Sequence, residues 1–326
     1  MKVVVTGGTG FLGLRLARRI LERGSLIGPT GRSQPISAIT LFDSQFPGEL
    51  PQLDPRVTLV KGDIAERSVV AGLIDRPDIA VFHLASIVSA GAEQDFELAM
   101  RVNVDGHFNI LEALRRVGSC PRYVFTSSMA VYGGDGALGK VHDHTRQVPQ
   151  TTYGMTKAMG ELLVNDYSRK GFIDGRSARL GMVVVRPGKP NRAASGFASG
   201  VIREPLSGID YVLPVPLATK IAIAGYRTIV EGLLALHDVA GEKLGSDRAV
   251  TLPSLSVTVT QMIESMRRVA AGRKLGTIRE EPDAQTMAIV SGWPAEMGSE
   301  RAAAIGLPGD DGIDSIIRAY IEDYLN

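Results

Sequence analysis

The chain has 326 residues and balances 36 lysines and arginines against 35 aspartates and glutamates, for a formal net charge of +1. Its 44% hydrophobic and 22% charged content fits a folded globular protein and argues against disorder, and the near-neutral charge gives no reason to expect a nucleic acid or an anionic membrane as partner. The single cysteine, Cys120, excludes an intrachain disulfide and disfavours a thiolate metal site. In chain order, residues 2–6 read as a short β-branched strand, residues 7–13 as a glycine-rich turn and residues 11–23 as an amphipathic helix with Leu12, Leu16, Ile20 and Leu21 on its inner face. Residues 24–35 are rich in turn formers and read as a loop inserted before a second strand at 36–42. Further strands are expected at 57–61, 80–84, 122–127 and 182–185, with helices at 66–74, 96–117 and 153–170 between them. Strands alternating with helices imply βαβ units, so the expected fold class is α/β, a Rossmann-like doubly wound parallel sheet.

Beyond Arg186 the alternation fades. Residues 187–191 form a rigid turn, helices are expected at 197–206, 227–237, 258–270 and 312–324, and strands at 248–252 and 277–280. This half reads as a smaller C-terminal α/β lobe for substrate. The expected division is residues 1–180 for the dinucleotide and residues 181–326 for the lobe, partly interleaved with the first. No stretch approaches the ~20 apolar residues of a membrane span. The apolar run at residues 3–5 is too brief for a signal core, so a cytoplasmic location is expected.

Gly7, Gly10 and Gly13, with Phe11 and Leu12 between them, have the spacing G-x-x-G-x-x-G where a strand gives way to a helix. Backbone amides at such a helix start can receive a pyrophosphate, and glycines allow its close approach. Asp43 ends the second strand, where a carboxylate accepts hydrogen bonds from ribose hydroxyls and repels a 2′-phosphate; it favours NAD over NADP. Arg32, in the inserted loop, is the residue that could fold back toward such a phosphate. Asp63 and Ile64 follow the third strand and are placed to meet an adenine, although Asp63 could equally cap the next helix. Tyr153 and Lys157 are spaced i, i+4 and share a helix face. A lysine ammonium beside a phenol lowers the phenol's pKa and equips it to take a proton from an alcohol.

Together, the glycine loop, Gly62-Asp63-Ile64, His83-Leu84-Ala85, Asn103, Thr126-Ser127-Ser128, Tyr132-Gly133 and the Tyr153/Lys157 pair resemble the extended short-chain dehydrogenase/reductases, a group that includes nucleotide-sugar epimerases and dehydratases. The resemblance covers roughly residues 1–190 and implies roles by position. Tyr153 is the catalytic acid/base, Lys157 binds the nicotinamide ribose and lowers the tyrosine pKa, and Ser128 holds the substrate oxygen. Ser127 and Pro187 flank the nicotinamide, Ala85 and Ser86 pass the cofactor phosphates, Asn103 supports the site, and His83 is structural. The carboxyl half, through Arg186 to Asn191, Ser195 to Ser199, Arg203 to Leu206, Leu255 to Thr258 and Gly292 to Pro294, resembles sugar-acid dehydrogenases that oxidise the 2-hydroxyl of a four-carbon acid such as D-erythronate to the 2-oxo acid with NAD.

A sugar acid needs cations or donors for its carboxylate. Lys189, Asn191, Arg192 and Ser195 offer them just after the strand expected at 182–185, and Arg227 is a further candidate. Trp293, the single tryptophan, is expected to pack within the lobe. Two rivals remain: a nucleotide-sugar 4-epimerase with tightly bound NAD, and a non-catalytic NAD-binding sensor on the same fold. The complete Ser128, Tyr153 and Lys157 set argues against the sensor. Helices at 96–117 and 153–170 resemble those that pair in the family's dimers, so a homodimer is expected.

Overall fold

The computed structural model describes residues 1–48, 50–134, 139–188, 195–270 and 272–325. Seven parallel strands form the central sheet: Lys2–Thr6, Ala38–Asp43, Val57–Lys61, Ile79–His83, Arg122–Ser128, Asp174–Leu180 and Ala249–Thr251. Numbered along the chain within this sheet, they lie in the order 3-2-1-4-5-6-7. The order reverses between the first and fourth strands, and that switch opens a crevice at their carboxyl ends, where open α/β sheets bind ligands.

Both faces of the sheet are covered. Helices Phe11–Arg23 and Tyr226–Asp238 bury Leu16, Ile20, Ile229 and Leu233 against Val3, Val5 and Val124 on one side. Helices Arg67–Leu73, Gly106–Val117 and Thr152–Arg169 bury Val70, Ile110, Leu114 and Val164 against Val4, Val81 and Tyr123 on the other. Alternate residues of one strand thus feed opposite cores, as the two-residue strand period requires.

The sixth strand of this sheet is not the one expected at 182–185. That position is taken by Asp174–Leu180, whose Arg176 and Arg179 carry charge into the interior and give no apolar run to read. Met182–Val184 instead joins a second sheet with Lys220–Gly225 and Leu255–Thr258. This sheet and helices Gly196–Leu206, Val259–Val269 and Ile313–Tyr324 enclose a separate core around Phe197, Val201, Ile221, Met262 and Ile317. Residues 24–35 are not a plain loop: Ser25–Ile27 pairs with Ser33–Pro35 in a hairpin. The helix expected over 96–117 is Phe96–Met100 and Gly106–Val117, joined by one π-helical segment, Arg101–Asp105. Among the described residues, no helix is long and apolar enough to cross a membrane.

Candidate active site

The glycine loop leaves no room for side chains. Gly7 has φ +67°, and a Cβ there would lie 2.9 Å from the Ala85 amide nitrogen; a Cβ on Gly13 would lie 2.4 Å from the Gly7 carbonyl oxygen. Bare backbone therefore forms this wall of the crevice. Gly10 caps helix Phe11–Arg23 without a side-chain hydrogen bond, and the first turn holds no acidic residue. The helix-start amides are left for an anion, which the helix dipole also favours. Asp43 stands at the next strand end, its Oδ2 accepting from the Thr9 amide at 3.3 Å and the Thr9 hydroxyl at 2.9 Å, its Oδ1 from the Ser44 amide at 2.9 Å. These features fit a dinucleotide, with the pyrophosphate on the loop and a ribose at Asp43.

Gly7, Gly10, Phe11, Leu12, Gly13, Asp43, Asp63, Ile64, Ala85, Ser86, Ser127, Ser128, Tyr153 and Lys157 all line one cleft of about 870 Å³. Asp63 accepts from the Ala65 amide at 2.9 Å and pairs with Arg101; the amide bond, foremost, and the arginine hold its carboxyl below the usual range. It does not cap the following helix, whose cap position is Glu66. Asn103 sits in the π-helical segment behind the wall, 5% exposed. Its Oδ1 accepts from the Ile87 amide at 2.8 Å and the Ser86 hydroxyl at 3.1 Å, and its Nδ2 donates to Thr156 Oγ1 at 3.1 Å. It thereby fastens the loop after the fourth strand to helix Thr152–Arg169. Pro187 is half-buried and lies outside the cleft wall.

Thr151 caps helix Thr152–Arg169 by accepting from the Gly154 amide, so Tyr153 emerges in the first turn and Lys157 one turn later. Lys157 is 3% exposed in the fold; its Nζ donates to the Thr126 carbonyl at 2.7 Å and lies 5.5 Å from the Tyr153 ring centroid. Burial lowers its pKa to about 7, against the opposing pull of Glu161. Tyr153 does not follow the expectation of a lowered pKa. Burial raises it, and the hydrogen bond with Ser128 only partly offsets that. Desolvation of the phenolate is the larger effect, and the Lys157 ammonium donates to the Thr126 carbonyl.

The far end of the cleft is lined by Arg186, Ser195, Ser199, Arg203 and Trp293. Helix Gly196–Leu206 fixes the Arg186 backbone twice: Ser199 Oγ accepts from its amide at 3.0 Å, and Arg203 Nη1 donates to its carbonyl at 2.7 Å. Arg203 is neutralised by Glu204, with Nε to Oε1 at 3.0 Å. The Arg186 guanidinium has no hydrogen-bond or ion-pair partner among the described residues, and burial, with Arg203 nearby, lowers its pKa.

Arg186 was not among the residues expected to meet substrate; its signal was present as an arginine at the end of an apolar run, just before proline and glycine. Of those expected, Ser195 lines the cleft, while Lys189, Asn191 and Arg192 lie outside the described residues. Arg227 does not reach the cleft: it pairs with Glu322 at 2.9 Å and Asp323 at 2.6 Å on the outer surface. Arg32 is exposed in the hairpin, away from the wall. Trp293 packs on the lobe core as expected but also lines the cleft. Among the described residues, no group of three or more histidines, cysteines or carboxylates could hold a metal ion.

The chain is similar end to end to proteins of known kind. It is 49% identical over 323 residues to D-erythronate dehydrogenase from Cupriavidus necator, with 99% of this chain and 98% of that one covered. It is 39% identical over 322 residues to D-erythronate dehydrogenase from Haemophilus influenzae, covering 99% of each. A crystal structure described as the nucleoside-diphosphate-sugar epimerase from Agrobacterium tumefaciens superposes with a TM-score of 0.91 at 37% identity, covering all of this chain and 94% of that one. The model of the NAD dependent epimerase/dehydratase family matches residues 3–220, which span the glycine loop, the Tyr153/Lys157 helix and Arg186. This chain belongs to the NAD-dependent epimerase/dehydratase family.

Proposed function

We propose that the protein oxidises the 2-hydroxyl of a small sugar acid, D-erythronate, to 2-oxo-tetronate with NAD. One observation carries this reading: a single cleft joins the dinucleotide-fitting loop and the Ser128, Tyr153 and Lys157 cluster to an arginine, Arg186, whose charge has no partner among the described residues. An unpaired half-buried cation is costly unless a ligand anion meets it. The two full-length relatives named for this activity support the substrate.

Bound on the glycine loop, NAD would supply the acceptor for the hydride that leaves the substrate C2. The protein residues do the rest. Arg186 takes the carboxylate and sets the acid's direction in the cleft. Ser128 Oγ, which already accepts from the Ala130 amide at 3.1 Å, steadies the substrate oxygen. Tyr153 receives the hydroxyl proton, and Lys157, as an ammonium, favours the phenolate that makes this possible. Asp43 holds the adenosine ribose.

The rival reading, a nucleotide-sugar 4-epimerase, is favoured by the description of the Agrobacterium structure, which is less similar in sequence than the Cupriavidus dehydrogenase. Incubation with NAD and D-erythronate should generate NADH absorbance; silence with four-carbon acids together with turnover of UDP-sugars gives the case to the epimerase. Tyr153→Phe should lower kcat by at least about a hundredfold with NAD affinity nearly unchanged. Wild-type turnover in that variant refutes the assignment of the base.

A cytoplasmic location and a homodimer belong to the same reading. The dimer is supported by Phe96, Phe108 and Leu162, large apolar side chains left exposed on neighbouring helices.

A further inference from the structure

Three successive residues at the end of strand Arg122–Ser128 meet three positions spaced by four on helix Thr152–Arg169. The Thr126 carbonyl accepts from Lys157 Nζ at 2.7 Å, the Ser127 hydroxyl donates to Glu161 Oε1 at 2.5 Å, and Ser128 lines the cleft with Tyr153, whose pKa its hydroxyl helps to lower. Positions 153, 157 and 161 make one stripe along the helix. Tyr153 and Lys157 line the cleft; Glu161 does not, and is 2% exposed.

The Glu161 carboxylate is held from several sides. Arg179 donates to it through Nη2 at 2.7 Å and Nε at 3.0 Å, and Gln147 through its side-chain amide. Arg179 is fixed in turn by the Tyr132 hydroxyl at 2.8 Å and the Asp143 carbonyl at 3.2 Å. A buried ion pair of this kind is weak evidence of stability, since desolvation can match or exceed the attraction. Its position suggests another use.

We propose that Glu161 is a positioning residue for the Tyr153–Lys157 pair: its buried carboxylate supplies the negative charge that keeps Lys157 an ammonium, and it pins Ser127, hence Ser128, at the strand end. The inference rests on the reading of Tyr153 and Lys157 as the acid–base unit.

The surroundings of Lys157 leave this task to Glu161. Its ammonium lies 4.7 Å from the Phe125 ring centroid and 5.5 Å from that of Tyr153. His83, on strand Ile79–His83, and His107, on helix Gly106–Val117, interact with it electrostatically, and burial keeps both neutral. Among the described residues, Glu161 is the anion that opposes desolvation of the lysine. Without it, Lys157 gives up its proton at a lower pH, and the phenolate loses the cation 5.5 Å from its ring centroid.

Glu161→Gln keeps the shape and removes the charge. The expected result is a fall in kcat of about tenfold, with KM for NAD nearly unchanged and the alkaline limb of the rate profile moved down by about one pH unit. Because Arg179 is left unpaired in that variant, Glu161→Gln with Arg179→Gln is measured beside it, removing both buried charges; a smaller acidward shift is expected there, because the opposing Arg179 charge goes too. A wild-type kcat and alkaline limb in either folded variant overturns the proposal. If neither folds, Glu161→Asp decides, since it keeps the charge on a shorter stem: a lowered kcat with an unmoved alkaline limb supports positioning through Ser127, and a wild-type kcat overturns it. Tyr153→Phe is assayed in parallel. Retained turnover there sinks the acid–base reading itself, whereas its loss beside an unaffected Glu161→Gln sinks only the role of Glu161.

Discussion

Arg186 brings its charge to a wall of the cleft where the neighbouring cation, Arg203, is already neutralised by Glu204. If it receives the substrate carboxylate, Arg186→Gln should lower kcat/KM for the sugar acid by one to two orders of magnitude, chiefly through KM, because a charge-assisted hydrogen bond is worth about 1.5–3 kcal/mol. Arg186→Lys should recover part of the loss, having the charge without the bidentate fork. An unchanged KM in the glutamine variant would remove Arg186 from the substrate site. Asp43 makes a second residue-scale prediction. Its carboxylate is already oriented by Thr9 and Ser44, so it presents fixed acceptors to a ribose and a fixed negative charge to a 2′-phosphate. Asp43→Ala should reduce the preference for NAD over NADP by about tenfold or more, read as the ratio of kcat/KM values. An unaltered ratio would mean that other residues discriminate.

Elements whose burial comes from apolar side chains were legible in the sequence. Lys2–Thr6, Val57–Lys61 and Phe11–Arg23 were read at their observed bounds, and the glycine loop between the first strand and helix was evident from spacing alone. Strand Asp174–Leu180 was not, because its interior arginines are made tolerable by ion pairs, Arg176 with Asp174 on the same strand and Arg179 with Glu161 on helix Thr152–Arg169, which an apolar pattern does not show. The π-helical turn at Arg101–Asp105 was also hidden. Its irregularity serves the Asn103 contacts with Ile87 and Thr156, which periodicity does not encode. The helices around Tyr153 raise a prediction at this scale. Leu162 is 66% exposed on the face of Thr152–Arg169 turned from the core, and Phe96 and Phe108 are exposed on the helices packed beside it. In the proposed dimer, Leu162→Glu buries a charge at the interface and should shift the protein toward monomer in light scattering, while leaving the NAD-binding cleft intact. A mass unaffected by the substitution would exclude this face as the interface.

At the scale of the molecule, the two halves are stitched together. Strand Ala249–Thr251 returns from the second half to the edge of the first half's sheet, and Asp143 accepts from the Thr251 amide at 3.4 Å and the Arg301 amide at 2.9 Å. Unfolding one half should therefore expose the core of the other, and a buried group anywhere in the shared sheet should report on the whole. His83, His107 and His237 are such groups, almost wholly removed from solvent. His83 and His107 lie with Tyr123 and Phe125 in one ring cluster, and His237 stacks on Phe82 at 5.2 Å. Burial is the leading cause that lowers all three pKa values, to about 3 for His107 and about 4 for His237. The folded state thus binds fewer protons than the unfolded chain, whose histidines titrate near 6.5. Stability is fully present above that pH and is lost as pH falls toward the folded values. At pH 5 each histidine kept neutral costs about 2 kcal/mol. Three of them cost about 6 kcal/mol, a large share of a typical folding free energy. The melting temperature should fall steeply from pH 7.5 to pH 5. In His107→Leu, which breaks no hydrogen bond because both ring nitrogens are unpartnered among the described residues, about a third of that fall should vanish. Equal slopes for the variant and the parent would show that His107 is not held neutral by the fold.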